Sequence, residues 1–260
     1  MDFLANYFGS LNPMSFLSAL PGNIAQGIIW GLMGLGVFLT FKLLNFADLS
    51  VDGSFATGGA VTAVMLINGC PVWATIIVAI LAGLAAGLVT GLLHTLLGIP
   101  DILAGILTQI ALYSINLNIM GKSNLPISYR NYTLVVSASN INMAILVGLG
   151  ICAVVIAAMY WYFGTEQGST IRSTGSNPAM SKAQGININF TKVIALALSN
   201  GLVALSGSLF AQYQGFADIN MGRGAIVIGL AAVIIGEVLG EAIFRKHMNF
   251  GISSSHIANL

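Results

Sequence analysis

Between Val72 and Leu97 the chain carries no Asp, Glu, Lys or Arg. A bilayer-spanning helix needs about 20 consecutive, mostly apolar residues. In lipid every backbone N–H and C=O must be satisfied within the protein, which a helix does internally. The run therefore predicts a transmembrane helix. Six further stretches have the same character: Asn23–Phe41, Gly53–Ile67, Ile102–Met120, Ile141–Phe163, Phe190–Tyr213 and Ala225–Leu239. Those beginning at Gly53 and Ala225 are short for a full crossing. Only 7% of the 260 residues are charged and 57% are hydrophobic, against about 25% charged in soluble domains. The fold class expected is all-α and polytopic, with about seven transmembrane helices in a single domain spanning 1–260. Met1–Gly22 lacks a basic n-region and is broken by Asn, Ser and Pro, so it reads as an interfacial segment rather than a signal peptide.

The basic residues set an orientation, because cytoplasmic flanks are enriched in Lys and Arg. With segment 164–189 cytoplasmic, Lys42, Arg172, Lys182, Lys192, Arg245 and Lys246 lie inside, and only Lys122, Arg130 and Arg223 outside. The N-terminus is then external and the C-terminus internal. A net charge of +1 offers no basic face to nucleic acid. Cys70 and Cys152 form no CxxC motif and fall at different expected depths, so neither a disulfide nor a zinc site is expected. No metal and no cofactor is expected.

Ion-coupled carriers keep titratable groups inside the membrane, yet the spans from Val72 to Tyr213 contain no carboxylate. Asp48, Asp52, Asp101, Asp218, Glu237 and Glu241 fall at or near expected helix ends. His94 reads as a hydrogen-bonded packing residue near the cytoplasmic face. Neither HExxH nor GxSxG is present, and Gly121-Lys122-Ser123 lacks the first glycine of a phosphate loop. The chain is not expected to be an enzyme. Energy for uphill transport must then enter from another protein.

One polar segment, 164–189, is long enough to receive it. Asn177 is an N-cap candidate, Pro178 suits the first helical position, and Gly185 supplies a left-handed stop. A short helix over Ala179–Gln184 is expected, preceded by a turn at Ser169–Thr174 that Gly175 ends. The run Thr165, Gly168, Ile171, Gly175, Asn177, Ala179 and Gly185-Ile186-Asn187 resembles the cytoplasmic coupling segment of bacterial ABC-importer permeases of the branched-chain amino acid and ribose type. Leu205-Ser206-Gly207, Gln212-Tyr213-Gln214, the stretch Asn45–Gly53 and the stretch Gly229–Gly236 are similar to that family too.

The resemblance implies a permease subunit in a bacterial cytoplasmic membrane, dimeric (homo- or heterodimer) around a central pathway. It implies an ABC ATPase below, an extracytoplasmic solute-binding protein outside, and a small polar solute such as an amino acid or sugar. Under it Arg172, Gly175, Asn177, Pro178, Ala179, Lys182 and Gly185 couple the chain to the ATPase. Family members continue with more membrane helices after the part matching Gly236, whereas His247–Leu260 is too short to span. A stand-alone secondary transporter or channel, or a membrane scaffold, is the rival expectation.

Ala47-Asp48-Leu49-Ser50 and Ala217-Asp218-Ile219-Asn220 precede the second and last spans, with Gly59 and Gly229 at matching offsets. An inverted repeat puts such copies on opposite sides, the first cytoplasmic and the second external. Under that reading Asp48, Ser50, Asp52, Ser54, Thr57, Asp218 and Asn220 line or gate the solute path. Helix capping explains the same carboxylates equally well. Gln109, Asn116 and Gln212 are either path residues or interhelical hydrogen-bond formers. Gly83, Gly87 and Gly91 form a small-residue ridge suited to helix packing within the protein.

Overall fold

The computed structural model describes residues 13–127, 134–137 and 140–244, with the side chains of 13–18 and 241–244 left aside. Nine α-helices occur among these residues: α1 (Pro13–Val37), α2 (Ser50–Ile67), α3 (Val72–Leu97), α4 (Asp101–Met120), α5 (Ile141–Phe163), α6 (Glu166–Ser176), α7 (Pro178–Ala183), α8 (Ile188–Gln214) and α9 (Ala225–Phe244). A π-helical turn, Phe38–Leu43, extends α1. Two three-residue strands, β1 (Asn124–Pro126) and β2 (Phe216–Asp218), pair antiparallel. Five helical segments are long and apolar enough to span a membrane: Ala19–Leu43, α3, α4, α5 and α8. Val51–Ile67 and Ala225–Gly240 are shorter apolar helices.

The expected all-α polytopic architecture is therefore present, and its two short members are the ones that looked short in the sequence. The first helix starts earlier than Asn23: Pro13–Gly22, expected as a separate interfacial segment, runs unbroken into α1. Met1–Asn12, Arg130, Arg245, Lys246 and the tail His247–Leu260 lie outside the described residues.

Helix α8 is the central post. On one side the ridge of α3 lies against it: a Cβ on Gly83 would strike the Asn200 carbonyl, and one on Gly87 the Leu196 carbonyl, while Gly91 faces Val193. The ridge thus serves packing within this chain. On another side Gly58 of α2 abuts Ala204, and Gly207 abuts the Phe55 carbonyl. Small residues let the two backbones approach and gain van der Waals contact where lipid supplies no hydrophobic drive between helices. Trp30 of α1 stacks on Phe55 at 5.2 Å and meets Phe210 edge-on at 5.5 Å, closing the three-helix core.

The contact order along α8 gives each helix a direction. Ser54, Gly58 and Thr62 meet Asn200, Ala204 and Ser208 in turn, so α2 runs parallel to α8. Ser199 donates to the Gly36 carbonyl, Ser206 to that of Ile29 and Tyr213 to that of Gly22, so α1 runs antiparallel. Gly229 packs on Met33 and Val37, and Glu237 pairs with Lys42 at 2.8 Å, so α9 follows α1. Helices α2 and α9 consequently run in opposite senses.

Candidate functional site

The starts of α2 and α9 lie part-way along the bundle rather than at its ends. Asn200 sits 12 residues into α8 and 14 from its last residue, which at 1.5 Å per residue is about 18 Å and about 21 Å from the two ends. Its side chain holds the start of α2. The amide Nδ2 donates to Asp48 Oδ2 at 2.7 Å, and Oδ1 accepts from Ser54 Oγ at 2.6 Å and Ser50 Oγ at 3.1 Å. Asp48 Oδ1 in turn accepts the Ser50 backbone N–H at 2.9 Å. Asp48 thereby caps a free helix donor and sits where the helix dipole favours negative charge.

The start of α9 is held by α2. Asp52 Oδ2 accepts the Gly224 N–H at 3.1 Å and Oδ1 the Ile226 N–H at 2.9 Å. For this the chain after α8 turns back toward the middle of the bundle. Met221 comes to lie over Gly59, and Gly222 lies against the Asp52 carbonyl. Opposite sides were expected for the two matching motifs, and they do approach from opposite ends of α8: Asp48 follows Leu43 and Leu44, which lie against Gly175, whereas Asp218 pairs with Asn124 just beyond Gly215. Both helix starts nevertheless come to one level, because each is preceded by a non-helical segment that folds back. Asp218 Oδ1 accepts the Asn220 N–H at 2.7 Å, the same local bond that Asp48 makes to Ser50. Arg223, expected in an outer loop, is carried to the same level.

Beside these starts lies a cavity of about 310 Å³. It is lined by Asp52, Gly53 and Ala56 of α2, by Gln109, Ile110, Tyr113 and Asn116 of α4, and by Ile219 and Arg223 of the returning segment. It brings together three of the expected path residues, Asp52, Gln109 and Asn116. Asp48, Ser50 and Ser54 instead face α8 in the Asn200 network. Thr57 is buried and bonds to the Gly53 carbonyl at 2.9 Å. Asp218 and Asn220 shape the returning segment, where Asn124 Nδ2 reaches Asp218 Oδ2 at 3.4 Å. Gln212 is buried near the far end of α8, its Oε1 accepting the Val135 N–H at 3.1 Å and its Nε2 unpartnered. Asn116 is 0% exposed, and neither atom of its amide has a partner.

At the other end of α8 the polar segment folds into two helices. Thr165 caps α6 through the Gly168 N–H at 3.5 Å, and Asn177 caps α7 through the Met180 N–H at 3.0 Å. Pro178 opens α7, and Gly185 follows it at φ 83°, left-handed backbone that costs glycine least. The expected turn at Ser169–Thr174 is part of an eleven-residue helix, and Gly175 does not end it. Glycine is needed there for space: a Cβ on Gly175 would strike the Leu43 carbonyl at the end of the π-helical turn. Ile171, 1% exposed, packs with Leu39, Leu44, Phe46, Ala195 and Leu196. Arg172 donates to the Phe163 carbonyl at 3.0 Å. Pro178, Ala179, Met180 and Lys182 remain exposed.

The family model described as "Branched-chain amino acid transport system / permease component" matches residues 22–248. The chain belongs to this permease family. It is 45% identical over 224 residues to a tyrosine transport system permease protein of Clostridioides difficile, covering 86% of this chain and 74% of that one. An uncharacterized protein of Rickettsia prowazekii is 32% identical, over 87% and 78% of the two chains. The D-allose transport system permease protein AlsC of Escherichia coli is 28% identical, over 88% and 71%. No solved structure matches the chain. The protein is a multi-pass ABC-importer permease of a bacterial inner membrane.

Three features of this permease escaped the sequence reading. Asn200 was one polar residue within an apolar span, and its role depends on three groups some 150 positions away. Arg223 was counted as a flanking charge, and Tyr113 carried no signal. His94 has the packing role expected: Nδ1 is 2.9 Å from the Ile99 carbonyl, Nε2 is 3.0 Å from Lys192 Nζ, and Phe46 meets the ring edge-on. Both cysteines are free, and no metal-binding cluster occurs among the described residues.

Proposed function

We propose that this permease moves an amino acid inward, driven by a separate ATPase subunit that grips segment 164–189 through the exposed surface of α7. The solute is delivered by an extracytoplasmic binding protein, and two permease subunits, identical or not, enclose the pathway. The observation carrying this reading is the seating of α6 against Leu43 and Leu44. Tightly packed elements transmit displacement because their interiors yield little. A push on Pro178, Ala179 and Lys182 moves α7 and α6 together. Gly175 and Ile171 pass that movement to Leu43, Leu44 and Phe46. Asp48 follows two residues after Phe46 and ties the start of α2 to Asn200, and Asp52 ties α2 to the start of α9. One displacement at the cytoplasmic end thus acts on both internal helix starts beside the cavity.

The resemblance to a tyrosine permease over 86% of the chain supports an amino acid as the solute. The coupling role is tested with Asn177→Ala combined with Gly185→Val, which removes the cap of α7 and its left-handed stop. The double variant is expected to insert at wild-type levels, yet to lose solute uptake and stimulation of ATP hydrolysis in the reconstituted importer. Unimpaired uptake would refute the docking role.

A further inference from the structure

We infer that the cavity beside the two internal helix starts is a binding station for a zwitterionic amino acid, with Asn116, Arg223 and Asp52 as its polar contacts. The inference rests on the amino-acid reading above and adds where and how the solute is held. Asn116 is the first observation. A fully buried amide without partners costs about 1–3 kcal/mol, and buried amides in native proteins are normally satisfied. This one lies on a cavity wall with both its donor and its acceptor unused. A ligand bearing both hydrogen-bond types is what would satisfy it.

Charge is the second observation. Arg223 is exposed and makes no ion pair among the described residues, and its guanidinium fork suits a carboxylate bidentately. Asp52 lies on the same cavity. Its oxygens accept two backbone N–H groups, which leaves further lone pairs and a negative charge for an ammonium group. A cationic and an anionic group on one cavity match an amino acid's two ends; a sugar's hydroxyls could hydrogen-bond to both but would neutralise neither charge. Ala56, Ile110, Tyr113 and Ile219 supply an apolar remainder for a side chain. The volume, about 310 Å³, lies at the small end of ligand pockets, which run from about 300 to about 1,000 Å³.

The test uses the complete importer, with ATPase and binding protein, in proteoliposomes. Uptake of L-tyrosine, of the other amino acids singly and of ribose is measured for wild type, Asn116→Leu, Arg223→Gln and Arg223→Lys. Wild type is expected to import at least one amino acid and not ribose. Asn116→Leu and Arg223→Gln are expected to lower that uptake at least tenfold, and Arg223→Lys to fall between. Asn116→Leu should melt at or above the wild-type temperature, because it removes an unsatisfied amide; this separates lost binding from lost folding. Amino-acid uptake that both variants leave at wild-type rate overturns the station and leaves the amino-acid reading standing. A wild-type importer that takes up no amino acid overturns that reading and the station with it.

Discussion

Replacing Asn200 by Ala should show how much the buried network contributes. Four hydrogen bonds end on this side chain, from Ser50 and Ser54 and to Asp48 and the Leu196 carbonyl. After truncation Ser50 still has Asp48 as an acceptor, but Ser54 Oγ and Asp48 Oδ2 lose the partners they have here. Two polar groups orphaned in a dry interior would cost about 2–6 kcal/mol together. Interhelical hydrogen bonds in membranes average about 0.6 kcal/mol and reach about 1.7, which sets the lower end. Water entering from the neighbouring cavity would relieve part of the loss. The expected destabilisation is about 3 kcal/mol, measured as the shift in equilibrium unfolding on denaturing-detergent titration of the purified permease. Combining it with Ser54→Ala should cost less than the sum of the two single changes, because they share a bond. Stability within about 0.5 kcal/mol of wild type for Asn200→Ala, or additive single changes, would refute the view that Asn200 anchors the start of α2.

Two further outcomes follow from the packing. Gly207→Val places a side chain where the Phe55 carbonyl stands, and is expected to cost about 3 kcal/mol of overpacking, read as a lower unfolding midpoint and reduced folded yield. Lys42→Met removes an ion pair whose partners are 46% and 33% exposed; such pairs contribute about 1 kcal/mol or less, so the unfolding midpoint should barely move.

Much of the helix inventory was legible in the chain, because spanning helices are dictated by runs that each satisfy their own backbone. The short runs from Gly53 and Ala225 were legible as short, but the cause was not. Their starts are internal because the segments before them fold back, and that folding is decided by bonds between Asp48 and Asn200 and between Asp52 and α9. The caps at Asn177 and Gly185 were readable for the same local reason as the spans. Gly175 misled, since a glycine after a polar stretch reads as a stop, while here it makes room for a carbonyl on another helix.

Asp48, Ser50 and Ser54 were singled out for the solute path, yet the sequence could not say which way they face, and the structure turns them toward Asn200. Facing α8 satisfies them within the protein, whereas Gln109 and Asn116 on α4 face a cavity. The amino-acid order alone determined that this chain lives in lipid, how many apolar helices it forms and where a polar hairpin interrupts them, because hydropathy and capping act over a few turns. Which carboxylate touches which helix start, and that Asp52, Asn116 and Arg223 share one cavity, was decided only when α2, α4 and the segment after α8 packed together, since those contacts join residues more than fifty positions apart.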